Sequence, residues 1–297
     1  MTLPAHARYS WGADEFLLVE IAPDMSLEAN FVANSMAAGL EEQSLPGIVD
    51  ICPANASLLI RFNPDELAHT ALQETLERLE AEVRRATVQE LETRIIEVPV
   101  WYADPYTAET VQRFRQGYHQ QPEGTDLDYA AAVNGLSGAE EFITRHHETP
   151  WIVSMVGFVA GLPFLFQLTP RERQLEVPKY LSPRTDTPPL TIGIGGCFTA
   201  HYSVRGAGGY QMLGITPTPI FDTEQKLPDF SDFMVLFRTG DIVKYRPVDE
   251  QEYRAIEAEV AAGTYRYKQA AVTFTLSDAL ADPDGYNHTL LEALNGA

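Results

Sequence analysis

Side chains with chemistry are concentrated in the segment Thr191–Gly214, where two glycine clusters flank a short strand-like run. The clusters are Gly193–Gly196 and Gly206–Gly209. Because glycine has no Cβ, such clusters permit tight turns or the close approach of a ligand to the backbone. The polar or reactive side chains between and after them are those of Cys197, His201, Tyr210 and Gln211. The sequence therefore predicts a site built from loops in this segment.

Common nucleotide and metal motifs do not fit these residues. A dinucleotide fingerprint requires a helix after its glycines, whereas a strand-like run follows Gly196. The Gly-Lys-Ser/Thr of a phosphate-binding loop occurs nowhere in the chain. Elsewhere, His146 and His147 are adjacent on a predicted helix, so their side chains point about 100° apart and suit a polar helix end better than one metal ion. Cys197 has no adjacent base, and we expect a small buried thiol and no metal site.

The composition favours a cytoplasmic protein that binds neither nucleic acid nor membranes. The 297 residues include 42 acidic and 21 basic ones, for a formal charge of −21. Nucleic acids and anionic membrane surfaces both require clustered lysine and arginine. The N-terminus lacks the pattern of a signal peptide, and no apolar run approaches the ~20 residues that cross a bilayer. Cys52 and Cys197 lie far apart, so we expect no disulfide framework.

The elements that must position the site begin with an α+β part. The order β-α-β-β-α-β predicts a ferredoxin-like, split βαβ domain over residues 1–95. One helix is expected to begin after Ser26 and another at Asn63. The strands are expected at Phe16–Ile21, Ile48–Cys52, Ser57–Phe62 and Arg94–Val100.

A second part with a different pattern of predicted secondary structure follows. Residues 103–148 are expected to be mainly helical, with a polar loop over Gly117–Asp126. From Trp151 to Pro247, short strands alternate with glycine and proline, which is typical of a β-barrel or sandwich. Residues 251–297 are expected to add a helix and a strand.

Three motifs in Gly157–Gly214 resemble a known family. They are GFVAGLPFL, then VPKYLSPRTDTP, then IGIGG followed by GAGGYQMLG. The sequence resembles the carboxyltransferase family that joins allophanate hydrolase subunit 1, the B subunit of 5-oxoprolinase, a sporulation-kinase inhibitor and half of the carboxyltransferase domain of urea carboxylase. The resemblance implies an α+β fold, with the ferredoxin-like domain followed by a cyclophilin-like β-barrel over residues 96–250.

The connection VPVWYADPYTAETVQRF, the KYLSPR segment and the helix and strand after the barrel resemble the urea carboxylase branch, whereas GFVAGLPFL is closer to the 5-oxoprolinase branch. Two positions depart from the family pattern. Arg205 stands where the family has an acid, and Ile215 stands where it has an arginine. These changes leave the substrate open, and Arg205 could select a more anionic one.

The resemblance implies transfer of a carboxyl group to an amide or urea-like nitrogen, or hydrolysis of an amide. Such chemistry requires a base, donors for the carboxylate and exclusion of water. Gln211 could orient the nitrogen group, Tyr210 could line the pocket and His201 could act as base. Each also has a plain structural alternative, as a strand or core residue. The candidate substrate-binding residues are Lys179, Arg184, Arg205, Gly195, Gly196, Gly208 and Gly209, with Lys179 and Arg184 as a carboxylate clamp.

The chain lacks a Met-Lys-Met biotin-attachment motif, a phosphate-binding loop and a glycine-rich serine-amidase signature. We therefore expect one subunit that is inactive alone, with biotin or ATP brought by other chains. The expected partners are a companion resembling allophanate hydrolase subunit 2 and, for carboxyl transfer, a biotin carrier and biotin carboxylase. The alternatives are the B subunit of an ATP-dependent 5-oxoprolinase-like hydrolase and a regulatory kinase-inhibitor-like protein.

Overall fold

The computed structural model describes residues 3–86 and 89–297, and the chain divides into two units. The first comprises Met1–Leu91 with Phe274–Leu280, and the second comprises Glu92–Thr273 with Ala281–Ala297. The strands of the described residues are β1 Arg8–Gly12, β2 Phe16–Glu20, β3 Ile48–Ala54, β4 Ser57–Phe62, β5 Glu90–Tyr102, β6 Trp151–Val156, β7 Pro163–Gln167, β8 Arg184–Thr187, β9 Thr191–Gly195, β10 Phe198–His201, β11 Gly206–Gly208, β12 Gln211–Ile215, β13 Ile242–Pro247 and β14 Gln269–Thr275. The α-helices are α1 Leu27–Gln43, α2 His69–Arg85, α3 Pro105–Tyr118, α4 Asp126–Val133, α5 Ala139–Glu148, α6 Glu250–Ala261, α7 Leu276–Ala281 and α8 Pro283–Asn295.

The first unit contains an antiparallel sheet in the order β1-β2-β4-β3. Period-2 alternation in β2 and β4 places their buried side chains on one face, where they pack with α1 and α2. The helix α1 begins as expected after Ser26, whose hydroxyl accepts a hydrogen bond from the Ala29 amide at 3.1 Å. It ends where Ser44 adopts a left-handed φ of 47°.

The prediction that Arg94–Val100 completes the sheet of the first domain was wrong. This segment lies in β5, which pairs in parallel with β13 in the larger sheet. From Ile95 onward β5 is almost continuously buried, as is typical of a strand covered on both faces. The edge position beside β2 is taken instead by β1.

The second predicted helix also begins later than expected. Asn63 caps a single turn, in which its side chain accepts from the Asp65 amide at 3.1 Å. Because the turn after Pro64 is not continued, α2 starts only at His69. Leu72, Leu76 and Leu79 of the predicted stripe are buried in the core.

The larger sheet has the order β12-β9-β10-β7-β6-β13-β5-β14 over the described residues. An additional pairing between β12 and β5 closes seven of these strands into a ring. Gly214 permits the closure, since a Cβ there would lie 2.8 Å from the Tyr102 Cα. The core of this unit includes Trp151, Ile192, Ile194, Leu213, Val243 and Tyr245.

The predicted helical insertion forms α3, α4 and α5. Asp104 caps α3, and Thr125 with Asp128 forms a capping box at α4. The Met212 amide of β12 donates to the Asp126 carboxylate at 2.8 Å, which fixes α4 against the strand that carries Gln211. No helix among residues 3–86 and 89–297 is long and apolar enough to cross a bilayer.

Candidate active site

A pocket of about 390 Å³ lies in the second unit, where the three sequence motifs meet. This volume is within the range of about 300–1,000 Å³ that small-molecule sites occupy. The pocket is lined by Phe158, Leu162 and Phe164 from the first motif, Lys179, Tyr180 and Pro183 from the second, and Ala207, Gly208, Gly209 and Tyr210 from the third, with Ala200 and Tyr202 from the strand between its two halves.

Lys179 gives this pocket a positive charge. Its side chain is exposed, and its Nζ lies 5.1 Å from the centroid of the Tyr210 ring, within cation–π range. Of the described residues that line the pocket, none carries a carboxylate. The ammonium group therefore remains available to an anionic ligand.

Arg184 does not share that surface with Lys179. It is completely buried, its Nη1 donates to the Tyr210 carbonyl at 2.8 Å, and its Cζ lies 4.5 Å from the Tyr180 ring centroid. Its Nη2 has no hydrogen-bond partner in the described part of the chain. Arg184 thus lies behind Tyr180 and Tyr210 and does not line the pocket.

The four candidate glycines divide into two pairs. Gly208 and Gly209 line the pocket, whereas Gly195 and Gly196 do not. A Cβ on Gly195 would lie 2.7 Å from the Tyr210 Cε1, and one on Gly208 would lie 2.8 Å from the Thr187 Oγ1. At both positions glycine makes room for neighbouring side chains of the protein. The expected close approach of a ligand to the backbone stays a prediction for Gly208 and Gly209.

The structure separates the side chain of Tyr210, which precedes β12, from that of Gln211, the first residue of β12. The Tyr210 ring faces the pocket, and burial raises its pKa well above the usual value. The Gln211 amide is completely buried, and its Nε2 donates to the Pro178 carbonyl at 2.8 Å. Its Oε1 lies 3.0 Å from the His119 Nε2. With both ends of its amide occupied, Gln211 lies behind the pocket wall.

His201 also points away from the pocket. Its chain neighbours Ala200 and Tyr202 line the pocket, so His201 projects from the opposite face of the sheet. Its ring is completely buried, with the ring centroid of Phe237 at 6.3 Å, and neither nitrogen has a partner within the described residues. Burial lowers its pKa to about 3. The geometry does not bring His201 to the site as a base.

The two departures from the family pattern lie outside the pocket. Arg205 is exposed and donates to the Asp186 carboxylate at 2.6 and 2.8 Å, and Asp186 also pairs with Arg113. Ile215 is buried in an apolar cluster with Val248, Tyr253 and Ile256. Neither Arg205 nor Ile215 contributes a lining side chain.

Sequence reasoning missed a buried polar network behind the pocket. The Asp126 carboxylate accepts from the Arg115 Nη1 at 2.6 Å and from the Tyr180 hydroxyl at 2.7 Å, in addition to the Met212 amide. Burial raises the pKa of Asp126, and these donors act in the opposite direction. In the sequence Asp126 is one of several acids in a polar loop, and its partner Tyr180 is 54 positions away. No local pattern predicts their contact.

Of the two histidines of α5, His146 is buried in the core, whereas His147 is half-buried. The ring of His146 lies between hydrogen bonds to the Tyr102 hydroxyl at 2.8 Å and the Thr199 hydroxyl at 2.9 Å. Burial lowers its pKa to about 3. Within residues 3–86 and 89–297, no group of three or more histidines, cysteines or acids could hold a metal ion.

Residues 7–231 match the carboxyltransferase domain, subdomain C and D. The match covers more than half of the chain, and the chain belongs to this family. The resemblance inferred from the three motifs is therefore confirmed.

Particular relatives agree with this assignment. The chain is 30% identical to the B subunit of 5-oxoprolinase from Bacillus subtilis (strain 168) over 255 residues, which are 83% of this chain and 95% of that protein. It is 26% identical to urea amidolyase of Saccharomyces cerevisiae over 261 residues, 87% of this chain but 14% of that protein. The crystal structure of Kluyveromyces lactis urea carboxylase covers all of this chain and 27% of its own with a TM-score of 0.83 at 23% identity, which shows a shared mixed α/β fold. The chain is thus homologous to parts of two kinds of enzyme.

Proposed function

We propose that this chain supplies one half of the active site of a carboxyltransferase complex that acts on an amide or urea-like nitrogen. The observation that carries the proposal is the Lys179 pocket: three family motifs converge on one cavity whose charged lining group is an ammonium. A migrating carboxyl group is anionic and requires a cation or amide donors in a site that excludes water. Lys179 supplies the cation, and the aromatic side chains supply apolar walls.

The pocket lacks a base of its own among the described lining residues. The titratable groups there are Lys179 and the tyrosines, and burial raises the pKa values of Tyr180, Tyr202 and Tyr210. The lysine ammonium is a donor only, and un-ionised phenols cannot accept a proton from a nitrogen substrate near neutral pH. The base must then come from a companion chain or from the bound reactants, which supports a half-site.

The residues present fit a biotin ring. The pocket has the size of a small-molecule site, and Phe158, Phe164 and Tyr202 offer apolar surface to a ring system. Biotin carried by another chain would supply the carboxyl group. Lys179 would hold the carboxylate, and the aromatic side chains would exclude water. The buried charge of Arg184, behind Tyr180 and Tyr210, would favour a negative charge in the pocket.

The family relation also supports two alternatives. The 30% identity to the 5-oxoprolinase relative, over nearly all of that protein, favours a subunit of an ATP-dependent hydrolase that opens a lactam. In that reaction the same ammonium would hold a substrate carboxylate or a developing oxyanion. A regulatory kinase-binding protein without chemistry of its own is the other alternative.

We further propose that the closed ring of strands is the cyclophilin-like barrel of the family, with a ferredoxin-like domain before it. The β12–β5 closure supports the first assignment. The order β2-α1-β3-β4-α2 supports the second, with β1 in place of the final strand. Two free cysteines and the acidic composition support a cytoplasmic location.

Purification of the tagged chain with its native partners tests the proposal. We expect a biotinylated protein in the complex, and ATP-dependent incorporation of labelled bicarbonate into urea or a related amide that avidin abolishes. ATP-dependent opening of 5-oxoproline by a complex without biotin would replace the proposal with the hydrolase alternative. Tight binding to a histidine kinase, with neither reaction detectable, would overturn both enzymatic proposals.

A further inference from the structure

The loop that carries Lys179 is hydrogen-bonded, on the side away from the pocket, to residues 118–121, which comprise the last residue of α3 and the turn after it. The Tyr118 carbonyl accepts from the Ser182 amide at 3.1 Å. The Gln120 Nε2 donates to the Lys179 carbonyl at 3.3 Å and to the Tyr129 hydroxyl at 2.6 Å. Both ends of the Lys179 loop are therefore tied to the helical insertion.

His119 makes the third connection to this loop, through a hydrogen bond with Gln211, and the donor and the acceptor of that bond can be assigned. The Pro178 carbonyl can only accept, so the amide that bonds to it is the Gln211 Nε2, at 2.8 Å. The Gln211 Oε1 then faces His119, and because a carbonyl oxygen cannot donate, the His119 Nε2–H must donate to it at 3.0 Å. The other ring nitrogen, Nδ1, lies 2.8 Å from both the amide nitrogen and the carbonyl oxygen of Gln121, and with the proton on Nε2 it accepts from the amide.

The imidazole ring of His119 is fixed in this orientation by its surroundings. Its relative exposure is 5%, and it packs edge-on between the rings of Tyr129 and Tyr180, at centroid distances of 4.7 and 4.6 Å. Burial, with the nearby Arg115, lowers its pKa. Tyr180 is also the residue that directly follows Lys179.

We propose that His119 is a positioning residue that acts through Gln211 on the backbone of Pro178 and so holds the Lys179 ammonium over the Tyr210 ring. The proposal rests on the proposed function for its catalytic consequence, but its structural content does not. His119 and Gln211 touch no pocket surface, and their hydrogen bonds end at the peptide preceding Lys179. Loss of these hydrogen bonds should make the Lys179 loop more mobile, while the residues that line the pocket stay the same.

The sequence makes a direct measurement possible, because it contains four lysines: Lys179, Lys226, Lys244 and Lys268. Reductive ¹³C-methylation keeps their charge and gives few NMR signals. The Lys179 signal, assigned by its loss in Lys179→Arg, should be shifted by the Tyr210 ring current. In His119→Leu we expect it to move toward the position of exposed Lys226, with the other three signals unchanged. His119→Gln keeps a donor near the Nε2 position and should retain the shift.

Gln211→Met, which removes both hydrogen bonds at similar volume, provides a second route if His119→Leu does not fold. The control is His288→Leu on α8, which should leave all four lysine signals in place. An unmoved Lys179 signal in a folded His119→Leu or Gln211→Met protein would overturn the positioning role, whatever the activity of the complex.

Kinetics of the complex then tests the catalytic consequence separately. His119→Leu should lower kcat/KM on the order of 10- to 100-fold, as expected for a misplaced catalytic group. In a Lys179→Met background the same substitution should cost almost nothing, because both changes remove one interaction. Full additivity of the two losses would show that His119 acts on activity by another route, even if the NMR shift is observed.

Discussion

The two sides of the Lys179 loop differ in how their polar groups are satisfied. The front faces the pocket with one ammonium group among aromatic and glycine residues. The back is a buried network in which Asp126, His119 and Gln211 all have hydrogen-bond partners. In the proposed function the front binds a ligand through the available charge of Lys179, and the hydrogen bonds of the back fix the loop. In this account the pocket side, with its single charged group, depends on the hydrogen-bonded side to hold the Lys179 loop in place.

The largest effect is expected when the buried network is broken at Asp126. This residue is 1% exposed and its partner Arg115 is 3% exposed. Asp126→Ala would leave a buried guanidinium without its partner, which costs about 3–5 kcal/mol of unfolding free energy. Urea denaturation measures this loss. Asp128→Ala, in the exposed capping box of the same helix, should cost only about 1 kcal/mol. Equal losses for the two variants would contradict the distinction between buried and exposed sides.

A smaller effect, dependent on pH, is expected at His201, whose buried ring nitrogens have no hydrogen-bond partner within residues 3–86 and 89–297. Its folded pKa of about 3 lies below the unfolded value of about 6.5, so the unfolded chain binds one more proton between these values. Stability is therefore fully present above pH 6.5 and falls as the pH drops, by about 1.4 kcal/mol per pH unit from this group.

His201→Leu should remove this part of the slope in denaturation series between pH 6 and pH 4. The matched control is Ile192→Val, a change at the cross-strand partner of His201, which should shift stability equally at each pH. Activity at neutral pH should persist in His201→Leu, since the ring faces away from the pocket. A loss of turnover in a folded variant would restore His201 as a candidate base.

The smallest effect is expected at Arg205, outside the pocket. Its guanidinium is exposed and pairs with Asp186, so Arg205→Ala should leave both the melting temperature and kcat/KM close to those of the wild type. A large rise in KM for an anionic substrate would show that Arg205 reaches the ligand and would extend the front side beyond the pocket.

Much of the fold could be predicted because its signals are local. The cap at Ser26, the alternation in β2 and β4 and the dense short strands after Trp151 all correspond to elements that the structure contains. The pairing of β5 could not be predicted in this way. Its segment is apolar and β-prone in either sheet, and the choice depends on contacts with β12 and β13, more than 100 positions away.

The position of the pocket could be predicted from the sequence, but the buried residues that hold its lining in place could not. The motifs predicted the convergence of Lys179, Tyr210 and the glycine loop. Alternation along β10 already distinguishes Ala200 and Tyr202 from His201, and that signal was available. The role of His119 depends on a bond to Gln211 across 92 positions, in a loop that carries no periodic pattern. The residues that line the pocket are therefore easier to find from the sequence than those that hold them in place.

The most direct test of the proposed function is the kinetics of Lys179→Met in the intact complex. Because the ammonium is exposed, the variant should fold and assemble normally. Removal of a preorganised group that stabilises developing charge typically lowers turnover about 10²- to 10³-fold, and Lys179→Arg should recover part of the loss. We predict a fall of that size in kcat/KM. A Lys179→Met complex with wild-type kcat/KM would contradict the assignment of this pocket as the site of carboxyl transfer.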